Sequence, residues 1–285
     1  MFYLILSIVC NTLLVIILKY YERLKVETLY GIVWNYLVCA LIGLLFIKDY
    51  SIIQTFIHWR HAWLSGILGF SFIAFFILIG KSTQLLGVAT TTTAFKLSFA
   101  IPTFAAVILY GNTLNSIEWI GIILALLAVI AISFDTKKNT PTHVSKMVYL
   151  MPLLIFIGCG LNDALFNYIQ IRLLPDGWQH IITISIFFSA FLFGLFLSIY
   201  KKSFYKPRNI LGGILLGIPN YGSLYFLLLA LQRTGLESSK LFPINNLGIV
   251  VLSALLGKLL FKERFSSQKI IGIILAVLSI ILIII

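Results

Sequence analysis

Acidic residues are scarce in this 285-residue chain: nine Asp and Glu stand against 21 Lys and Arg, and charged residues of both signs make up only 11%. So few polar groups cannot clothe a globule of this size in a water-exposed shell, which excludes a soluble fold. Histidine and cysteine are short as well, with four and three. The histidines (His58, His61, His143, His180) lie in connections or at the ends of apolar runs, and Cys10, Cys39 and Cys159 fall inside such runs at no metal-ligand spacing. No structural zinc, disulfide framework or other cofactor is expected. The sequence also lacks a glycine-rich phosphate loop and a paired-histidine metal motif, which argues against an enzyme.

What is present is hydrocarbon. Hydrophobic residues make up 60% of the chain, with 23 Phe and 13 Tyr. The pattern predicts an all-α membrane protein whose aromatics serve as lipid-facing bulk and interfacial anchors. Ten apolar runs are long enough to cross a bilayer: Phe2–Leu18, Leu29–Ile47, Ala62–Gly80, Val88–Tyr110, Ile117–Phe134, Met147–Ile171, His180–Ile199, Ile210–Leu231, Leu236–Leu260 and Ile270–Ile284. The polar segment DTKKNTPTHVSK, residues 135–146, reads as a linker between a five-helix unit at 1–134 and another at 147–285.

The two units resemble each other. Leu68–Gly87 lies without gaps over Leu216–Gly235, and Gly121–Ala125 and Gly272–Ala276 both read GIILA. An odd number of spans per unit makes the second enter from the opposite face, an inverted repeat. Counting Lys258, at the end of the ninth run, with the connection that follows it, fifteen of the 21 Lys and Arg lie in the odd-numbered connections and four in the even-numbered ones. By the positive-inside rule the odd connections are cytoplasmic and both termini lie outside. The net charge of +12 is accounted for by these topology signals and lipid-headgroup contacts, so no nucleic-acid partner is expected.

Two runs carry residues that oil does not tolerate. GLESSKLFPINNLG (Gly235–Gly248) holds Lys240, Pro243, Asn245 and Asn246; VATTTTAFKLSFAIP (Val88–Pro102) holds four threonines, Lys96 and Pro102. An ammonium group costs at least a few kcal/mol in hydrocarbon, and proline leaves a carbonyl one turn back without its partner. Both runs are therefore expected as interrupted helices bordering a shared site. Asp163 is the sole carboxylate well inside a run, with Asn162, Asn167 and Gln170 close by; positions 163, 167 and 170 share one helix face. Desolvation and a nearby ammonium pull a carboxyl's proton affinity in opposite directions, the tuning a proton-coupled carrier needs. Trp34, Asn35, Tyr36, Asn220, Tyr221 and Tyr225 are further candidates for the wall of a solute path, and Asn11 and Thr12 are a fainter one. Pro219 predicts a kinked, water-lined segment beside Asn220.

The doubled five-span plan, the LQRTG turn at Leu231–Gly235 and the stretch GKLLFKERFSSQKIIGIILAV at Gly257–Val277 together resemble the drug/metabolite transporter superfamily, and within it the EamA-like ten-span exporters. Glu263 stands where that family has a glutamate before span ten, and Gly272 where it has a glycine. The first-half counterpart departs from the pattern, with Asn112 in the glutamate's place. The resemblance implies ten helices around a central cavity, spans four and nine in its wall, and alternating access by rocking of helix groups. It also implies cytosolic termini, in conflict with the charge count.

The sequence thus reads as a secondary transporter, an exporter of a small polar metabolite such as an amino acid or organic anion across a bacterial inner membrane. Two intramembrane lysines against one aspartate favour an anionic or zwitterionic solute, with Asp163 as the proton-coupling group. Alternatives are a carrier of amphipathic drugs, lipid-linked molecules or nucleotide-sugars and, outside transport, a membrane receptor or scaffold. Lipids, a proton and a small-molecule solute are the expected partners of a monomer or homodimer.

Overall fold

The computed structural model describes residues 1–47, 49–110, 115–139, 148, 150–175, 177–233, 238–263 and 265–284. Within these ranges the side chains of 106, 107, 110, 129, 132–139, 170, 171, 228, 231, 232, 238–240, 242, 243, 283 and 284 fall outside the description.

The described residues form helices and no strand. In order they are α1 (Phe2–Arg23), α2 (Thr28–Leu45), the short α3 (Ser51–Ile57), α4 (Leu64–Leu86), α5 (Val88–Leu97), α6 (Ala100–Tyr110), α7 (Ser116–Asn139) and α8 (Met151–Tyr168). A π-turn (Ile169–Leu173) extends α8; then come α9 (Gln179–Ser198), a 3₁₀ turn (Lys202–Tyr205), α10 (Pro207–Arg233), α11 (Ser238–Phe261) and α12 (Ser267–Ile284). Seven of these, α1, α2, α4 and α8 to α11, are long and apolar enough to cross a membrane, and 116–128 and 267–282 form shorter apolar helices. The protein is an all-helical, multi-pass membrane protein. Its exterior is apolar, with Leu45, Ile108, Phe196 and Leu259 among the exposed side chains.

The expected fourth run is two helices, and the reason is local. Pro102 has no N–H and its ring crowds the carbonyl four residues back, at Ser98. The chain breaks there: the Ser98 carbonyl accepts from Ile101 N–H at 3.0 Å and the Ser98 hydroxyl donates to the Phe95 carbonyl at 2.6 Å. Its expected counterpart is different. α11 runs unbroken from Ser238 through Pro243 to Phe261, which corrects the expectation of an interruption in each half. Pro243 is the sixth residue of α11, and the helix continues past it although the Ser239 carbonyl loses its usual N–H donor. α10 likewise continues through Pro219. The expected linker is helical as far as Asn139, as the end of α7, and the rest of it lies outside the described residues.

Helix pairings come in exchanged sets. α2 packs on α10 and α9 on α4; α1 packs on α11 and on α10, while α8 packs on α5, α6 and α4; α2 meets α9, α5 meets α11, and α7 meets α12. Exchanging the first five expected spans with the last five leaves this pattern unchanged. Glycines permit the close approaches. A Cβ on Gly213 would lie 2.2 Å from the Cβ of Trp34, and one on Gly69 would lie 2.7 Å from the backbone nitrogen of Ala190.

The end of the bundle that carries the odd, lysine-rich connections (the basic face) is densely closed. Leu18, Tyr21, Ile32 and Val88 are fully buried there, as are Ser82, Thr83 and Thr91. Gly87 joins α4 to α5 at φ +97°, a left-handed conformation that suits glycine. Lys262, which ends α11, has φ 52°, an uncommon conformation for a residue with a side chain. That turn sends Glu263 back across the molecule: its carboxylate accepts from Val88 N–H at 2.6 Å and pairs with Lys269 at 3.4 Å.

Candidate functional site

The second turn of α5 and the middles of α1, α2, α4, α8, α9, α10 and α11 enclose a cavity of about 310 Å³. Two of the helices contribute full stripes. On α8 the stripe is Cys159, Asn162, Asp163 and Phe166; on α10 it is Asn220, Ser223, Leu224 and Leu227. Both follow the i, i+3, i+4, i+7 spacing of one helix face. Gly158 and Gly160 set the roll of α8: a Cβ on Gly158 would strike the Phe75 ring at 1.9 Å, and one on Gly160 would lie 2.8 Å from the Ser98 carbonyl oxygen.

The wall is aromatic, with polar groups at set places. Phe72, Phe75, Phe76, Phe95, Phe166 and Phe187 line it, together with Tyr36. Lys96 enters from α5, and its ammonium donates to Asn11 Oδ1 at 3.2 Å and lies 4.4 Å from the Phe95 ring centroid. Asn11 Nδ2 donates in turn to the Ser7 carbonyl at 3.4 Å. Ser7 Oγ donates to the Ser223 carbonyl at 2.9 Å, and Ser223 Oγ to the Asn220 carbonyl at 2.8 Å. Asn220 Nδ2 donates to Asn35 Oδ1 at 3.1 Å. This chain of bonds ties the amine on α5 to α1, α10 and α2.

Asp163 enters from α8. It interacts electrostatically with Lys96 but is not among the ion pairs closer than 4.0 Å, so amine and carboxylate border the cavity separately. Two more lining groups have an unused acceptor: Asn245 Oδ1 and Thr92 Oγ1 are buried, at 3% and 1% exposure, without a hydrogen-bond partner. A buried unpaired polar atom costs roughly 1–3 kcal/mol, so Asn245 Oδ1 calls for a donor and the Thr92 hydroxyl for a partner of either kind. Among the described residues no group of three His, Cys, Asp or Glu converges.

Of the residues expected at a site, Lys96, Asp163, Asn220, Asn245 and Asn246 meet at this cavity. Asn35 stands behind the wall, fully buried and bonded to Asn220. Trp34 is elsewhere, stacked on Phe204 with its indole N–H donating to the Phe204 carbonyl at 3.1 Å. Tyr221 and Tyr225 turn to Phe46 at the end of α2, because the cavity face of α10 passes through Asn220 and Ser223 instead. Asn167 is exposed and Asn162 lines the cavity in its stead: two stripes of helical spacing pass through Asp163, and packing at Gly158 and Gly160 selects the one through Cys159 and Phe166. The side chains of Lys240 and Gln170 lie outside the described residues. Thr92 and Ser223 were missed as wall residues. The sequence signal for Ser223 was the spacing from Asn220; for Thr92 none separates it from its three threonine neighbours, of which Thr93 bonds back to the Ala89 carbonyl and Thr91 to Ser82.

Residues 146–285 match the EamA-like transporter family. Along nearly the whole chain there is likeness to an uncharacterized protein of Haemophilus influenzae, 25% identical over 283 residues, covering 97% of this chain and 95% of that one. A solved structure, described as the crystal structure of a protein, superposes with a TM-score of 0.57 at 14% identity, covering 97% of this chain and 95% of its own; that likeness shows the fold alone.

Proposed function

The second half of this chain, residues 146–285, belongs to the EamA-like transporter family of the drug/metabolite transporter superfamily, and from that premise we propose that the protein is a secondary transporter of a small polar metabolite, an amino acid or organic anion, working by alternating access in a bacterial inner membrane. The observation that carries this reading is a cavity of about 310 Å³ in which an amine and a carboxylate stand apart without pairing directly. A charge in a low-dielectric interior needs a partner, and a solute carrying both signs, or an anion beside a protonated Asp163, supplies it. Lys96 is the anion contact, and Asn245, Asn246, Thr92 and Asn220 are the neutral hydrogen-bonding contacts. Asp163 is the proton-coupling group, and transport is outward. The Haemophilus relative supports the bacterial membrane assignment.

The test is transport in liposomes. Purified protein under an imposed pH gradient moves an amino or organic acid, and Asp163→Asn retains solute binding but loses the dependence on the gradient. No movement of any such acid under any gradient overturns the reading. A second reading, a carrier of amphipathic molecules, is favoured by the six phenylalanines in the wall; unchanged transport by Lys96→Ala would select it.

A further inference from the structure

The cavity does not involve Glu263, a nearly buried carboxylate that bridges the two halves of the chain. Glu263 follows α11, yet its Oε1 accepts from Val88 N–H at 2.6 Å, at the first residue of α5. Its Oε2 pairs with Lys269 on α12 at 3.4 Å, and both side chains are nearly buried, at 9% and 7% exposure. The space is made for it. A Cβ on Gly87 would lie 2.7 Å from Oε1, and one on Gly257 3.1 Å from Oε2, so a side chain at either place would crowd the carboxylate. The left-handed Lys262 aims it. A carboxylate at a helix N-terminus gains from unpaired N–H groups and from the helix dipole.

The helix so held carries Thr92 and Lys96 into the cavity, and its far end is the break at Ser98. α5 is therefore a short rod, free of α6 at one end and fastened by Glu263 at the other. The fastening sits in the densely closed basic face. In the first half the corresponding position is Asn112, outside the described residues, and the acidic residue that follows it, Glu118, exchanges hydrogen bonds with Asn115 at the start of α7, at 2.7 and 2.8 Å.

We infer that Glu263 is a clasp that holds the basic face shut by pinning the start of α5, and that releasing Val88 N–H from this carboxylate is the step that opens the cavity to that face. Glu263 is thus a positioning residue acting through α5, and the inference rests on the alternating-access reading above.

Cys159 lines the cavity and reports on it. In a Cys10→Ser, Cys39→Ala background, a membrane-impermeant methanethiosulfonate is applied to one face or the other of oriented vesicles. With Glu263 intact, Cys159 reacts faster from the face opposite the basic one. Glu263→Ala raises the rate from the basic face by about tenfold or more, the scale of one lost charge-assisted hydrogen bond. Val88→Pro does the same. Proline suits a first helical position, the ψ of 164° at Gly87 accepts a following proline, and the substitution removes the clasped N–H while leaving Glu263 in place. Glu263→Gln, which keeps an oxygen for Val88, changes the rate far less. If Glu263→Ala does not fold, Val88→Pro carries the test. Labelling from the opposite face that is unaltered by either variant, with none gained from the basic face, overturns the clasp alone. Labelling from neither face overturns the transporter reading and the clasp with it.

Discussion

Asn220 on α10 and Asn35 on α2 share a hydrogen bond of 3.1 Å, one residue facing the cavity and the other fully buried behind it. The cavity wall is thus braced from outside by a residue that touches no solute. Asn35→Ala removes the brace and leaves the Asn220 amide without its acceptor. It is expected to cost about 1–2 kcal/mol of stability, measured by thermal unfolding in detergent. Asn220→Ala is expected to weaken solute binding as well.

Lys96 is expected to dominate anion binding. Lys96→Met keeps the stem's bulk and removes the charge, and should weaken binding of an acidic solute by about tenfold or more, read by calorimetry on purified protein. Asn11→Ala, which frees the amine from its 3.2 Å partner, should have a smaller effect in the same direction. Equal binding by wild type and Lys96→Met would remove the amine from the site.

Gly158 is held to its size by Phe75, whose ring would lie 1.9 Å from an added Cβ. Gly158→Ala should therefore destabilise the protein by about 1–3 kcal/mol through overpacking and push Phe75 into the cavity. Adding Phe75→Leu should restore part of that loss. A double-mutant cycle of unfolding free energies checks it, and strict additivity would show that the two do not press on each other.

The reciprocal bonds of Asn115 and Glu118 form a capping box that starts α7 at a distance from the cavity. Asn115→Ala should cost about 1 kcal/mol in stability while leaving solute affinity unchanged. A change in affinity would mean that the start of α7 communicates with the cavity.

Much of this was legible in the residues themselves. Lys96, Asp163, Asn220, Asn245 and Asn246 stood out because hydrocarbon penalises them, and that penalty is independent of packing. The break before Pro102 was legible too, since proline acts on its own chain. Which face of a helix turns inward was harder. For α8 and α10 the spacing allowed two stripes, and the choice depended on contacts with other helices: Phe75 and Ile101 against the glycines of α8, Phe46 against the tyrosines of α10. Trp34 was misread for the same reason, because its partner Phe204 lies in a distant connection. Pro243 was misread because a proline deprives one carbonyl without having to end the helix, and α11 continues through it as α10 does through Pro219.

The joint at Ser98 meets α8 at Gly160, where backbone nearly touches backbone. Lys96 lies two residues before that point on one rod, and Asp163 lies three residues after it on the other. The two charges are therefore mounted on helices that meet at one point, so a shift of that joint is expected to move both.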